Sequence, residues 1–498
     1  MCKRSGCILL AALLYVCHAV AQDNGAFLDD FSRFRQQALS EQRDFRQKAI
    51  SEYADFLRQA WHNYDLMRPI KPRKEKWIPP TRIPKDVEPV KNKPIDYDDV
   101  IAIPKPADKE KQPQPIEPVE EHKEDKETQL STGVYCLDII FRADKKKLPH
   151  LANTSNAEIA RMWTQLSEKQ YGNLLYDCLQ NRSVYHFCDW VYLHMLDSVS
   201  QECYGKSNEA TLLMAYLYQQ SGYKMRLAKD DSGELVLLFA SEAKLFNYPF
   251  ITIDKEPFYV YGSHQKKLTV CDAAFPGEKS LSLDIREDMS SSMIVTCGLT
   301  DVRVRKAERY PDWYMGCSVM DGMLDLYSDY PSGYMNGNEM TRWALLANTP
   351  WQLHLVYDSL VWLPSVKREL SAFPELEQVE RLLNWVQTGF DYKTDEEVWG
   401  RERAFFAEET IYYPYCDCED RSILFSKLVR DVVGLKVLLV YYPGHMATAV
   451  KFNSEVAGDY ILLNGDRYVV CDPTYINATV GMTMPNMDNQ KAKVILLD

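Results

Sequence analysis

The sequence predicts an α+β fold, and three observations carry that reading. After Cys418 the apolar residues Ile423, Leu424, Leu428, Val429, Val432 and Val433 recur at helical spacing, and Gly434 ends the run. Strand-like runs follow: Val437 to Tyr442, Ala447 to Phe452, Tyr460 to Leu463 and Tyr468 to Cys471, with Asn464-Gly465 as a hairpin turn. A similar succession of one helix and several strands begins upstream at Asn208.

The later succession carries a chemically suggestive order of side chains. Cys418 stands at a helix start, where amides and the helix dipole favour a thiolate. His445 begins a strand after the Pro443-Gly444 turn, and Asp472 ends another. A thiolate can attack a carbonyl carbon, an imidazole can take and return the proton, and a carboxylate can fix the imidazole tautomer. Each residue also has a plainer reading: a buried small hydrophobe, a structural histidine and a turn residue before Pro473. Cys416 is the rival nucleophile, outside the helix start. One residue between Cys416 and Cys418, with no second Cys/His pair, does not suit zinc.

Cys418-Glu419-Asp420-Arg421-Ser422-Ile423-Leu424-Phe425, then Gly434, His445 and Cys471-Asp472-Pro473-Thr474, resemble the transglutaminase-like superfamily, and its bacterial exported branch most closely. The likeness spans roughly residues 375–485 and includes Leu382 to Gln387 and Phe390-Asp391-Tyr392. It implies a papain-like core, a helix packed on an antiparallel sheet. It implies Cys418 as nucleophile, His445 as general base and acid, and Asp472 as the orienting carboxylate. It leaves the reaction open, because the superfamily holds cross-linking enzymes, peptidases, amidases and inactive binding versions. The expected oxyanion donors are the Cys418 backbone N–H and one more group, for which Gln387 is a candidate.

From the start of the chain, residues 1–21 read as a signal peptide: Lys3 and Arg4, an apolar run from Cys7 to Val16, and small residues before Gln22. The run is too short for an ordinary membrane span. Cys17 raises lipoprotein anchoring as a lesser alternative to periplasmic export. Residues 22–68 read as a long amphipathic helix from Phe27 to Tyr64, packed on its own protein or offered to a partner. Residues 69–130 hold 12 of the 25 prolines among many charges, and read as an extended spacer on which Trp77 and Val100 to Ile103 dock locally.

Residues 131–285 are expected to be a diverged, inactive copy of the later domain. Aligned on Gly222 and Gly434, Lys206 stands at the Cys418 position, Gly233 or Glu234 at the His445 position, and only Asp272 is retained. The plainer reading is that any helix followed by strands aligns this well. Residues 286–370 form a connecting region, and 371–498 the catalytic domain. Trp313, Trp343, Trp351 and Trp362, with nearby tyrosines, are either core or a ligand platform. The loop from Asp391 to Tyr415 is a candidate wall of the cleft.

The functional expectation is thiol-dependent acyl transfer at amide bonds of a protein or peptide, by hydrolysis or transamidation. The alternative is a non-catalytic scaffold or binding module on the same fold. No cofactor or metal is expected, and no EF-hand-like loop is present. The net charge of −13 argues against nucleic acid as a partner. Thirteen cysteines, three of them in the signal segment, are too sparse for a disulfide scaffold, and Cys418 must stay unpaired.

Overall fold

The computed structural model describes residues 25–84, 92–103, 112–122, 128–168, 171–263, 267–285, 289, 297–352, 356–357 and 360–497. The expected signal segment lies outside the described residues. No described helix is long and apolar enough to cross a membrane.

The fold is mixed α+β. Helix α1 (Gly25–Gln59) is followed by strands β1 (Trp61–Tyr64), β2 (Lys93–Pro94) and β3 (Asp99–Ile101). Helices α2 (Asp189–Tyr204) and α3 (Asn208–Gln220) precede β4 (Met225–Lys229), β5 (Leu235–Ala240), β6 (Phe250–Ile253), β7 (Glu256–Val260) and β8 (Leu268–Cys271). Then come helices α4 (Thr341–Asn348), α5 (Glu375–Thr388) and α6 (Cys418–Leu428). Strands β9 (Lys436–Tyr442), β10 (His445–Lys451), β11 (Asp459–Leu463), β12 (Asp466–Cys471) and β13 (Lys493–Leu496) complete the chain.

One sheet runs β1-β8-β4-β5-β7-β6, the other β2-β11-β12-β10-β9-β13-β3. Their five central strands follow one order, β8-β4-β5-β7-β6 against β13-β9-β10-β12-β11, and every neighbouring pair is antiparallel. Strands β5 and β9 read as continuous apolar runs because helices or loops cover both faces. Along β9 the side chains alternate: Val437, Leu439 and Tyr441 face the clusters built with α5, α6 and α4, while Leu438, Val440 and Tyr442 face the opposite cluster. All eleven residues of α6 are buried. The Asn464-Gly465 turn has positive φ at both positions, 53° and 84°, as its tight hairpin requires.

The long helix is shorter than the expected 22–68. It ends at Gln59, and Trp61 to Tyr64 pair with β8 instead. An open sheet edge takes up a Trp-His-Asn-Tyr run with strand propensity in place of another helical turn. Ala49, Ile50, Tyr53 and Leu57 are buried in the first core, whereas Phe34, Phe45 and Phe56 are exposed.

The Pro-rich segment is extended, but its described parts are not a free-standing spacer. Lys93–Pro94 adds to β11 and Asp99–Ile101 to β13. Arg182 and Phe187 bond the backbone and side chain of Pro113 and Gln112. Trp77 is buried, as the sequence suggested. A disulfide joins Cys136 to Cys297, and the other eight described cysteines, Cys416 and Cys418 among them, are free and buried.

Candidate functional site

Cys418 is the first residue of α6, with Asp417 as its N-cap in extended conformation. Asp420 closes the helix start: its carboxylate accepts from the Asp417 N–H at 3.3 Å and the Phe405 N–H at 2.7 Å. Arg421 points back to the end of α5 and donates to the Gln387 and Phe390 carbonyls at 3.1 and 2.8 Å. The Ser422 hydroxyl donates to the Met446 carbonyl at 3.0 Å, which ties the helix to β10 one residue past His445.

His445 and Asp472 meet across β10 and β12. His445 Nε2 lies 2.8 Å from Asp472 Oδ2. A carboxylate can only accept, so Nε2 donates, and Nδ1 is the nitrogen left for a second partner. Nδ1 is buried and has no hydrogen-bond partner among the described residues. The second carboxylate oxygen of Asp472 accepts from the Thr474 and Tyr475 amides at 2.9 and 3.1 Å. Tyr442 stacks on the imidazole at 6.3 Å. The Met446 backbone N–H faces the Cys418 sulfur, but the thiol itself donates to Glu419 Oε2 at 3.6 Å, and no hydrogen bond joins it to His445 among the described residues. Cys418, His445 and Asp472 are each 0% exposed.

Burial pushes the Cys418 thiol well above its ordinary range, and the Asp417 carboxylate adds to that push. The helix start, expected to favour a thiolate, is outweighed because no water reaches the sulfur. Burial also raises Asp417, Glu419 and Asp420, and lifts Asp395 to about 10. Asp395, Asp417 and Glu419 each place an oxygen within 4.8 Å of the others, an arrangement that could hold a cation. The burial that would suit a hard cation equally favours shared protons, so the trio by itself reads as a proton-sharing network.

Gln387 is not free to serve as an oxyanion donor. Its amide donates to the Asp472 and Ala478 carbonyls at 2.9 and 3.2 Å, and its oxygen accepts from the Asn477 N–H at 3.1 Å. It braces the loop that carries Asp472. The 391–415 loop is largely packed on itself. Trp399, Phe405, Tyr413 and Tyr415 form a ladder of ring contacts at 5.1–6.0 Å, and Phe406 stacks on Tyr327. Trp313 and Trp343 are core residues, 7% and 1% exposed.

No family model, curated protein or solved structure matches this chain. The residues brought together here therefore stand on their geometry.

Glu409 gives a pH test of the core beside the site. Burial raises it to about 7 against the pull of Arg403, its ion-pair partner. The native carboxyl holds its proton to higher pH than the unfolded one. Its contribution to stability is therefore complete below the unfolded value and is lost as pH rises through 7. The loss should reach about 3 kcal/mol between pH 4.5 and 8. Urea unfolding of the native chain and of Glu409→Gln at those two pH values should show the difference shrinking in the variant. Parallel pH curves would reject the assignment.

Proposed function

We propose that this protein is a thiol-dependent acyltransferase acting on amide bonds of proteins or peptides, with a papain-like, transglutaminase-like catalytic unit over 371–498. The observation that carries the reading is the buried His445–Asp472 pair, whose unpartnered Nδ1 lies one residue before Met446, the residue whose amide faces Cys418; the cycle requires the thiol to turn from Glu419 to Nδ1. In the proposed cycle Cys418 gives its proton to Nδ1 and its sulfur attacks the amide carbonyl. His445 then protonates the leaving amine, and water or an acceptor amine releases the acyl group. Asp472 stabilises the imidazolium throughout.

The 131–285 unit is proposed as an inactive copy, on the shared strand order. Register supports a different correspondence from the one read on the glycines. Asn208, the first residue of α3, accepts from the Leu235 N–H at 2.8 Å, and Cys418, the first residue of α6, lies against the Met446 N–H in the same way. Counting along β5 and across to Tyr261, Asn208, Glu234 and Gly262 stand for Cys418, His445 and Asp472. Asp272 follows the strand matched to β13, and accepts from His62 and Tyr64 of β1 at 2.9 and 2.7 Å. The unit keeps neither nucleophile nor base.

The test is the rate of Cys418 modification by iodoacetamide across pH 5–9, read by peptide mass spectrometry, with and without His445→Ala, both in a Trp77→Ala chain, because the Trp77 ring packs in one cluster with the buried Cys418. The chain that keeps His445 should show Cys418 modification at neutral pH that drops about tenfold or more when His445 is also replaced. Equal rates in the two chains would remove the basis for catalysis and favour the scaffold reading.

A further inference from the structure

The three candidate catalytic side chains are sealed from solvent, and part of the seal is a segment far away in sequence. Residues 71–83 run over the site as an extended strap. The Ile78 N–H donates to the Gly444 carbonyl at 2.7 Å, next to His445. A Cβ on Gly444 would meet the Lys76 carbonyl at 2.7 Å, so the strap lies as close as a glycine allows. Further on, the Ile83 N–H donates to the Ile476 carbonyl at 3.0 Å, and the Ile476 N–H donates to the Thr81 carbonyl at 2.8 Å, four residues past Asp472. Just before the first anchor, Trp77 is 8% exposed and shares one packed cluster with Cys418, Met446, Trp343 and Tyr441. Its indole N–H has no acceptor among the described residues.

We propose that this strap fills the substrate channel as a self-supplied occupant, and that the channel is built for an extended, cationic polypeptide segment carrying a large aromatic side chain. The backbone bonds to Gly444 and Ile476 are those an extended peptide makes to a strand edge, independent of its side chains. Trp77 fills a deep apolar position. Charge sets the rest. In a chain of net charge −13 the strap is basic, with Lys71, Arg73, Lys74, Lys76 and Arg82 against one acid, Glu75. The rim it crosses is acidic: Arg82 pairs with Glu308 at 2.9 Å, Lys74 with Glu396 at 2.7 Å, and the Arg73 N–H with Glu339 at 3.1 Å. The first two are exposed pairs, weak singly and sensitive to salt. The strap is therefore held by one buried ring, by Ile78 and Ile83 against a small apolar cluster, by three backbone bonds, by the Tyr441 hydroxyl on Glu75 at 3.1 Å, by the Arg73 N–H on Glu339 and by screened charges, which a competing segment of the same chemistry can replace. While it is seated, the site is closed. The function of the channel rests on the acyl-transfer reading; its occupation by the strap does not.

The test uses the full chain and the iodoacetamide reaction of Cys418, with Cys317, buried in the neighbouring core, as an internal control. Trp77→Ala should raise the Cys418 rate about tenfold or more, because local opening no longer has to expel the ring. Trp77→Phe should stay close to the native chain. A free peptide of residues 71–83 should slow the Trp77→Ala reaction again, and a scrambled peptide should not. Arg82→Glu, at an exposed position that cannot unfold the core, should raise the rate severalfold, as should raising salt in the native chain. Unchanged Cys418 rates in both variants, or a parallel rise at Cys317, would overturn the proposal. The Trp77 effect is steric and persists in a His445→Ala background, whereas the His445 ratio reports the thiol–imidazole pair. Either can fail alone.

Discussion

Asp472→Asn should keep the fold and lose acyl transfer by on the order of 10³–10⁴-fold, whereas Asp472→Ala should lose both. The difference follows from what the two carboxylate oxygens do. One accepts from the Thr474 and Tyr475 amides, and the other faces His445 Nε2. Asparagine can keep its carbonyl oxygen on the two amides. Its NH₂ then points at Nε2 and needs a lone pair there, which moves the imidazole proton to Nδ1. A protonated Nδ1 cannot take the proton of Cys418. Alanine removes all three bonds in a place where every partner is buried, and each orphaned group costs about 1–3 kcal/mol. The measurements are urea unfolding of both variants and, in the Trp77→Ala chain where the thiol can be reached, the pH profile of Cys418 alkylation. Asp472→Asn should unfold within about 1 kcal/mol of its parent while its alkylation profile moves to higher pH. An unmoved profile would mean that Asp472 only shapes the turn.

The residues that make this site were legible where local pattern and local structure agree. Cys418 at a helix start, His445 at the head of a strand and Asp472 at the end of another are short-range readings, and each sits there. The Asn464-Gly465 hairpin was equally local. Distances in sequence defeated the rest. Aligning the two helices on Gly222 and Gly434 gives a different match from aligning them on their first residues, because α6 runs on through a π-helical turn at Val429–Val433 before its glycine. From Cys418 to Gly434 there are sixteen steps, and from Asn208 to Gly222 fourteen. An inserted turn of that kind leaves no mark on hydrophobic period. The strap was hidden for another reason. A Pro- and Lys-rich stretch has too little apolar surface to fold alone, and its conformation is decided by surfaces more than two hundred residues away. Trp77 was the one signal, a large ring in a segment with no other reason to hold one. The thiol's raised pKa was likewise invisible, since burial and not helix position decides it.

Arg421→Ala should be the most destabilising single change at the helix start, by about 3–5 kcal/mol. Arg421 is 1% exposed and among the largest fully buried side chains. Its guanidinium donates to two carbonyls at the end of α5 and the loop beyond, Gln387 and Phe390, and lies 5.6 Å from the Tyr392 ring. Removal leaves a cavity, two carbonyls without donors and no cation beside Asp417 and Asp420. It also loosens the α5 end from which Gln387 braces Asp472. Lysine keeps the charge but offers a point donor in place of a planar fork, so it cannot reach both carbonyls together. Arg421→Lys should therefore recover only part of the loss, about half. For a chain of 498 residues the thermal midpoint of Arg421→Ala should fall by roughly 3–5 °C. A fall smaller than about 1 °C, or equal values for the lysine and alanine variants, would show that the two carbonyls find water. In that case the buried acids at the helix start are neutralised by their own protons, and Arg421 is dispensable to the geometry that holds Cys418 against Met446.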